Sequence, residues 1–132
     1  MNLVQKEILD SIIDIKSESN SELNIKLSFS KNFIGFNGHF DEQPVLPAIC
    51  LLEIIKCSLY KQFCEMPIIS EILSAKFHNT ITVKEKIDIS IKSKQDFLER
   101  KNSENELVLI VHFRGHGATA KKAQLKIKAK IN

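Results

Sequence analysis

The chain lacks the features that would place it at once in several large classes of protein. Its net charge of +3 over 132 residues is too small to predict nucleic-acid binding. No apolar run is long enough to cross a bilayer. Residues 1–7 have no basic region followed by a continuous apolar stretch, as a signal peptide would. We therefore expect a cytoplasmic protein that binds neither nucleic acid nor membrane.

Common metal-binding and catalytic motifs are also missing. Cys50, Cys57 and Cys64 are seven residues apart. On a helix that spacing separates successive cysteines by about 10 Å, too far for a disulfide, and structural zinc sites use closer pairs. There is no glycine-rich phosphate loop and no Gly-x-Ser-x-Gly motif. We interpret the cysteines as small buried side chains and expect no metal and no cofactor.

What is present indicates one globular domain spanning residues 1–132. Apolar residues make up 43% of the sequence and charged residues 27%, which is typical of a folded protein and not of a disordered one. No internal repeat or interdomain linker interrupts it.

The first half contains an ambiguous opening, a strand and a helix. Residues 6–15 fit either a strand of a hairpin or a short helix followed by a strand, and we favour at least some strand before the turn at 18–21. Alternation predicts a strand over 23–29. Pro47 suits the first turn of an apolar helix over residues 48–63, which Met66-Pro67 follows.

The second half consists of strand patterns. The candidate strands cover residues 68–77, 81–93, 106–113 and 118–131, joined by a polar connection over 94–105. Within them, His112 is expected to be exposed on the polar face. The predicted fold class is α+β, with one long helix buried on one face by a curved antiparallel sheet.

The segment from His39 to Glu53 is the most informative part of the chain. An imidazole lies on a loop ahead of Pro44 and Pro47, and a carboxylate follows about a turn and a half into the apolar helix. A carboxylate among apolar residues carries a desolvation cost unless something uses or pairs it. A histidine and a carboxylate can act as an acid–base pair. The alternative for Glu53 is an ion pair with Lys56 or Lys61.

This segment resembles a known family. Five residues with fixed spacing match the pattern of the FabA/FabZ-type 3-hydroxyacyl-acyl-carrier-protein dehydratases: His39, Phe40, Pro44, Pro47 and Glu53. The approach over residues 33–38 is similar to that of the aryl-polyene-type branch, and Lys76-Phe77 resembles the opening of the family's next long strand. The resemblance implies a hotdog fold, in which a curved antiparallel sheet wraps one long helix.

The resemblance also implies a reaction. His39 would remove a proton from C2 of a 3-hydroxyacyl thioester, and Glu53 would assist departure of the C3 hydroxyl as water. The backbone N–H of Ala48, at the start of the helix, would stabilise the thioester oxygen. Further substrate contacts are implied for Phe40, Pro47 and Ile49.

The implied partners follow from the same likeness. The substrate would be carried by acyl-carrier protein or by coenzyme A. The protein would form a homodimer or a dimer-based oligomer, or a heterodimer with a related subunit, with His and Glu of one site contributed by different subunits. A basic rim that could steer an acidic carrier protein comprises Lys76, Lys84, Lys86, Arg100, Lys101 and Arg114.

Within the segment from His39 to Glu53, the sequence departs from the family pattern at three positions. Asp41 and Glu42 replace Pro-Gly after His-Phe, which adds negative charge beside the imidazole, and Ala48 replaces a glycine after the second proline. These departures keep two alternatives open. One is a non-catalytic subunit that binds acyl thioesters. The other is a hotdog thioesterase in which Glu53 activates water.

Overall fold

The structure is a computed structural model that describes residues 1–30, 33, 45–82, 85–101 and 106–131. Its described elements, in chain order, are α1 (Leu3–Ser11), β1 (Ile12–Ser19), β2 (Glu22–Ser28), α2 (Ala48–Phe63), β3 (Ile68–Phe77), β4 (Lys86–Ser93), a 3-10 helix (Phe97–Lys101), β5 (Leu107–Gly115) and β6 (Lys121–Lys130). The strands form one antiparallel sheet in the order β1-β2-β4-β5-β6-β3. Neither described α-helix is long and apolar enough to cross a membrane.

The long helix has the predicted bounds. Pro47 is its N-cap residue, and Cys64 ends it in the left-handed conformation (φ 63°), with its N–H donating to the Tyr60 carbonyl at 2.7 Å. The face toward the sheet is apolar and buried, and includes Cys50, Leu51, Ile54, Ile55, Cys57 and Leu59. The sheet supplies the facing core through alternate residues of its strands. The predicted α+β hotdog architecture is confirmed.

The ambiguous opening contains both a helix and a strand. The side chain of Asn2 accepts a hydrogen bond from the Gln5 N–H at 2.8 Å, and the side chain of Gln5 accepts one from the Asn2 N–H at 3.1 Å. This reciprocal capping box satisfies two amides at the start of α1. The helix ends at Ser11, and β1 begins with buried Ile12. The strand expected before the turn is therefore confirmed.

Two predicted strands are shorter than the apolar pattern suggested. The pattern over 81–93 begins as a strand at Lys86, because Thr82 instead forms an isolated bridge with Val45. The strand predicted over 118–131 begins only at Lys121, after the turn that contains Gly117, with φ 75°. The bridge brings the segment before α2 against the segment before β4.

The exposed position predicted for His112 is wrong. Only 8% of the residue is exposed, although it lies on the polar face of the sheet opposite Ser90. Burial lowers its pKa, and the cations Lys121, Arg114 and Lys92 lower it further. The alternation of the strand predicted the correct face of the sheet for His112. It did not predict that neighbouring side chains bury the residue on that face.

Within the part of the chain that the structure describes, strand β3 forms one edge of the sheet and pairs only with β6. All of its residues except Ile69 are exposed. Ile72 and Phe77 are 49% and 54% exposed, although each lies opposite a buried residue of β6, Ile127 and Ala123 respectively. Opposed residues of paired strands point to the same face of a sheet, so Ile72 and Phe77 lie on the inner face. Their exposure shows that α2 does not cover the inner face as far as β3.

Candidate functional site

One face of α2 is left uncovered by the sheet, and it contains the predicted acid. Ile49 is 70% exposed, and Glu53, four residues later, lies on the same side of the helix. The Glu53 side chain is 26% exposed. This face therefore presents an apolar side chain next to a half-buried carboxylate, which is a suitable surface for a substrate with an acyl chain.

Among the residues that the structure describes, the Glu53 carboxylate has two polar partners. Gln5 Nε2 on α1 donates a hydrogen bond to Glu53 Oε2 at 3.0 Å. The ammonium of Lys56 lies 3.6 Å from Glu53 Oε1. The ion pair with Lys56 that the sequence offered as an alternative is thus present. It does not exclude a chemical role, because a half-buried carboxylate needs compensation in either case.

Sequence reasoning missed Gln5. Its spacing from Asn2 is that of a capping box before an apolar run, so the start of α1 could have been predicted. The contact with Glu53 could not, because the two residues are 48 positions apart and meet only when α1 packs on α2.

The start of α2 borders a small cavity. It has a volume of about 120 Å³, and its lining includes Ala48, Leu51, Phe77 and Ile81. Pro47 provides no side-chain cap, so the first backbone amides of the helix, with their partial positive charge, can serve a ligand oxygen. Ala48 is itself exposed. The cavity is mainly apolar, and Ala48, the first residue of α2, forms part of its lining.

The structure places Ala48 and Glu53 at different parts of α2 within one chain. Glu53 is not among the residues that line the cavity at Ala48. Five helical residues correspond to a rise of about 7.5 Å and a rotation of more than a third of a turn. His39 and Phe40, like Asp41, Glu42 and Pro44, lie outside the described residues. Of the predicted site residues, Pro47, Ala48, Ile49 and Glu53 are described.

Two of the three cysteines lie near Glu53 and are buried as predicted. Burial raises the pKa of Cys57 to about 12, with the charge of Glu53 adding to the effect, and the pKa of Cys50 is raised for the same two reasons. The prediction is wrong for Cys64, which is exposed where it ends α2. Within the described ranges, no three His, Cys, Asp or Glu side chains cluster as a metal site would require.

The sequence matches a known family over most of its length. Residues 15–116 match the sequence model of the ApeI-like proteins, described as ApeI dehydratase. The chain belongs to the ApeI-like dehydratase family. The predicted relationship to hotdog-type dehydratases is thereby confirmed. No curated protein matches the chain at a significant level.

Solved structures share the fold at low sequence identity. The chain is similar to a subunit of the dehydratase heterocomplex ApeI:P from Xenorhabdus doucetiae, with a TM-score of 0.69 and 19% identity over 90% of this chain and 96% of that one. It is also similar to a hypothetical thioesterase from Streptococcus pneumoniae TIGR4 with coenzyme A, with a TM-score of 0.66 and 5% identity over 98% and 94% of the two chains. A third is the Escherichia coli PaaI protein of the phenylacetic acid degradation operon, with a TM-score of 0.63 and 10% identity over 89% and 81%. The chain therefore shares its fold both with a dehydratase subunit and with a hypothetical thioesterase.

Proposed function

We propose that this protein is a dehydratase that converts 3-hydroxyacyl thioesters carried by acyl-carrier protein into trans-2-enoyl thioesters, in fatty-acid or polyene-type biosynthesis. The observation that carries the proposal is Glu53, a half-buried carboxylate in register with the family motif, on the uncovered face of α2 beside exposed Ile49. Membership of the ApeI-like family supports the reaction class.

The proposed reaction needs a base, an acid and an oxyanion donor. His39 takes the proton from C2, and negative charge develops on the thioester oxygen. The Ala48 N–H stabilises that charge, aided by the helix dipole. The C3–O bond then breaks, and Glu53 in its protonated form supplies the proton, directly or through one water, that lets the hydroxyl leave as water. The carboxylate left behind is reprotonated from solvent, and the imidazolium of His39 loses its proton to solvent, which restores both groups for the next turnover. Phe40, Pro47 and Ile49 hold the acyl chain along the helix.

We propose that the site is completed by a second subunit. Within one chain, Glu53 and the cavity at Ala48 occupy different parts of α2, so a substrate that contacts both groups needs surfaces from two copies. In a symmetric dimer each residue pair occurs twice. His39 and Ala48 of one subunit would then act with Glu53 of the other.

The exposed β3 edge supports the proposal that the partner is a second copy of this chain. A ten-residue edge strand with unpaired backbone groups is normally protected or paired, and here Ile72 and Phe77 are about half exposed on the inner face. A second copy placed at this edge would cover both side chains. A related hotdog subunit would fit the same edge, and the solution mass of the isolated protein separates the two cases.

The experiment is a direct assay with 3-hydroxyacyl thioesters on acyl-carrier protein. We expect enoyl absorbance to appear with the wild-type protein and to fall by at least about a hundredfold in His39→Ala. Lys61→Ala, a change on the exposed side of α2, is the control and should keep full activity. Unchanged turnover in His39→Ala would refute the assigned base.

The same assay separates the alternatives that Asp41, Glu42 and Ala48 keep open. A thioesterase would release free thiol from an acyl thioester without forming enoyl product. A non-catalytic subunit would bind acyl thioester tightly with no turnover. Either result in the wild-type protein, with competent carrier and substrate, would contradict the dehydratase proposal.

A further inference from the structure

We infer that Gln5 is a positioning residue for Glu53: its side-chain amide holds one carboxylate oxygen so that the other faces the substrate. This inference rests on the proposed function, because it assigns Gln5 a part in that reaction. Its geometric basis is the hydrogen bond from Gln5 Nε2 to Glu53 Oε2 at 3.0 Å. Gln5 is only 9% exposed, so the donor side of the contact is largely removed from water.

The orientation of the Gln5 amide is fixed by the helix cap. Gln5 Oε1 accepts the Asn2 N–H at 3.1 Å, and Asn2 Oδ1 accepts the Gln5 N–H at 2.8 Å. Because the amide oxygen already has a donor, the NH₂ group is the end that faces Glu53. The cap therefore turns the NH₂ group of Gln5, which is a hydrogen-bond donor, toward the carboxylate, which is an acceptor.

The backbone of Gln5 is held against α2 as well. The thiol of Cys57 lies 3.7 Å from the Gln5 carbonyl oxygen and can donate to it. Cys57 is fully buried and lies one turn after Glu53 on the helix, so the same turn of α1 contacts two successive turns of α2. This second contact limits the movement of Gln5 relative to the carboxylate.

The two oxygens of Glu53 consequently have different roles. Oε2 is occupied by Gln5, while among the described residues Oε1 has only Lys56 at 3.6 Å, which is longer than a normal hydrogen bond. Oε1 is therefore the oxygen that can reach the departing hydroxyl or a water that bridges to it. If Gln5 is lost, the carboxylate can rotate, and a fraction of molecules presents the acid in an unproductive orientation.

Gln5→Glu is the informative substitution. Glu is the residue that a capping box commonly uses at this position, and it is nearly the same size as Gln, so α1 keeps its cap. It replaces the amide donor that faces Glu53 with a second carboxyl group. The two carboxyls repel when both are ionised and share a proton when one is not, so in either state the fixed amide contact that orients Glu53 is lost. Asn2→Ala is the matched control, because it removes only the Asn2 side chain, which accepts the Gln5 N–H. The backbone N–H of Asn2, which holds the Gln5 amide oxygen, is kept, and Glu53 is not touched.

We expect Gln5→Glu to lower kcat for dehydration by about tenfold to a hundredfold, the range of a lost hydrogen bond to a charged group, with little change in KM. Asn2→Ala should lower the melting temperature and leave kcat within about twofold. Gln5→Ala should lower both. A wild-type kcat in Gln5→Glu, or an equal loss of kcat in Asn2→Ala, would overturn the inference.

A second readout does not depend on turnover. The side-chain NH₂ resonances of Gln5, observed in ¹⁵N-labelled protein, should shift in Glu53→Ala and stay in place in Lys61→Ala. Resonances that do not respond to Glu53→Ala would show that the contact is absent in solution and overturn the inference on its own. An inactive wild-type protein in which they do respond would instead count against the proposed reaction.

Discussion

Replacing Ile72 by Lys should dissociate the proposed dimer. Ile72 is 49% exposed on the inner face of the β3 edge, as is Phe77 at 54%, five residues further along the strand. Covering the exposed half of such a side chain contributes about 1 kcal/mol. A buried, unpaired ammonium adds a further cost of at least about 1 kcal/mol. Two copies of the change meet in a symmetric interface, so the total is about 4 kcal/mol, roughly a thousandfold increase in Kd.

Sedimentation analysis over a range of concentrations measures this effect. The wild-type protein should sediment as a dimer at micromolar concentration, and Ile72→Lys as a monomer. Ile13→Lys is the control: Ile13 is 58% exposed but lies on β1, at the opposite edge of the sheet. A wild-type monomer, or dissociation by Ile13→Lys and not by Ile72→Lys, would refute the reasoning.

Three further predictions concern chemistry and stability. Cys64 should react with a thiol reagent at pH 8 far faster than Cys57, because the latter is buried and its pKa is raised to about 12; equal rates in the folded protein would contradict this. The free energy of unfolding should fall as the pH drops below about 6.5. The reason is that the pKa of His112 is lowered in the folded protein, so the unfolded chain binds a proton on this side chain more readily. Thermal melts of His112→Gln should show a smaller loss of stability over the same pH range. Ile54→Ala, at a fully buried position of α2, should cost about 2–5 kcal/mol in urea unfolding, and a loss below 1 kcal/mol would count against this packing.

The bounds of the long helix could be predicted from sequence because particular residue types fix both of its ends. Pro47 favours the first turn and Met66-Pro67 prevents continuation, and the helix runs over Ala48–Phe63. The strands from β3 onward were recognisable from alternation. Their first residues were less predictable, since the end of a strand depends on where a partner stops pairing, as the bridge between Val45 and Thr82 illustrates.

The candidate site was only partly predictable for a different reason. The resemblance between the family pattern and the segment from His39 to Glu53 indicated Glu53 and the start of α2. The Gln5 contact and the cover over His112 arise from packing between segments far apart in the chain, and local periodicity carries no information about them. The exposure of Ile72 and Phe77 also depends on how far α2 reaches across the sheet, which a strand pattern does not specify.

Mixing two inactive variants tests the central proposal, that His39 of one subunit and Glu53 of another act on one substrate. His39→Ala and Glu53→Gln homodimers should each be nearly inactive. After subunit exchange, half of the dimers are mixed, and each mixed dimer has one site with both residues intact. The account predicts recovery of about a quarter of wild-type dehydratase activity. No recovery, with exchange verified by mass, would contradict a site shared between subunits.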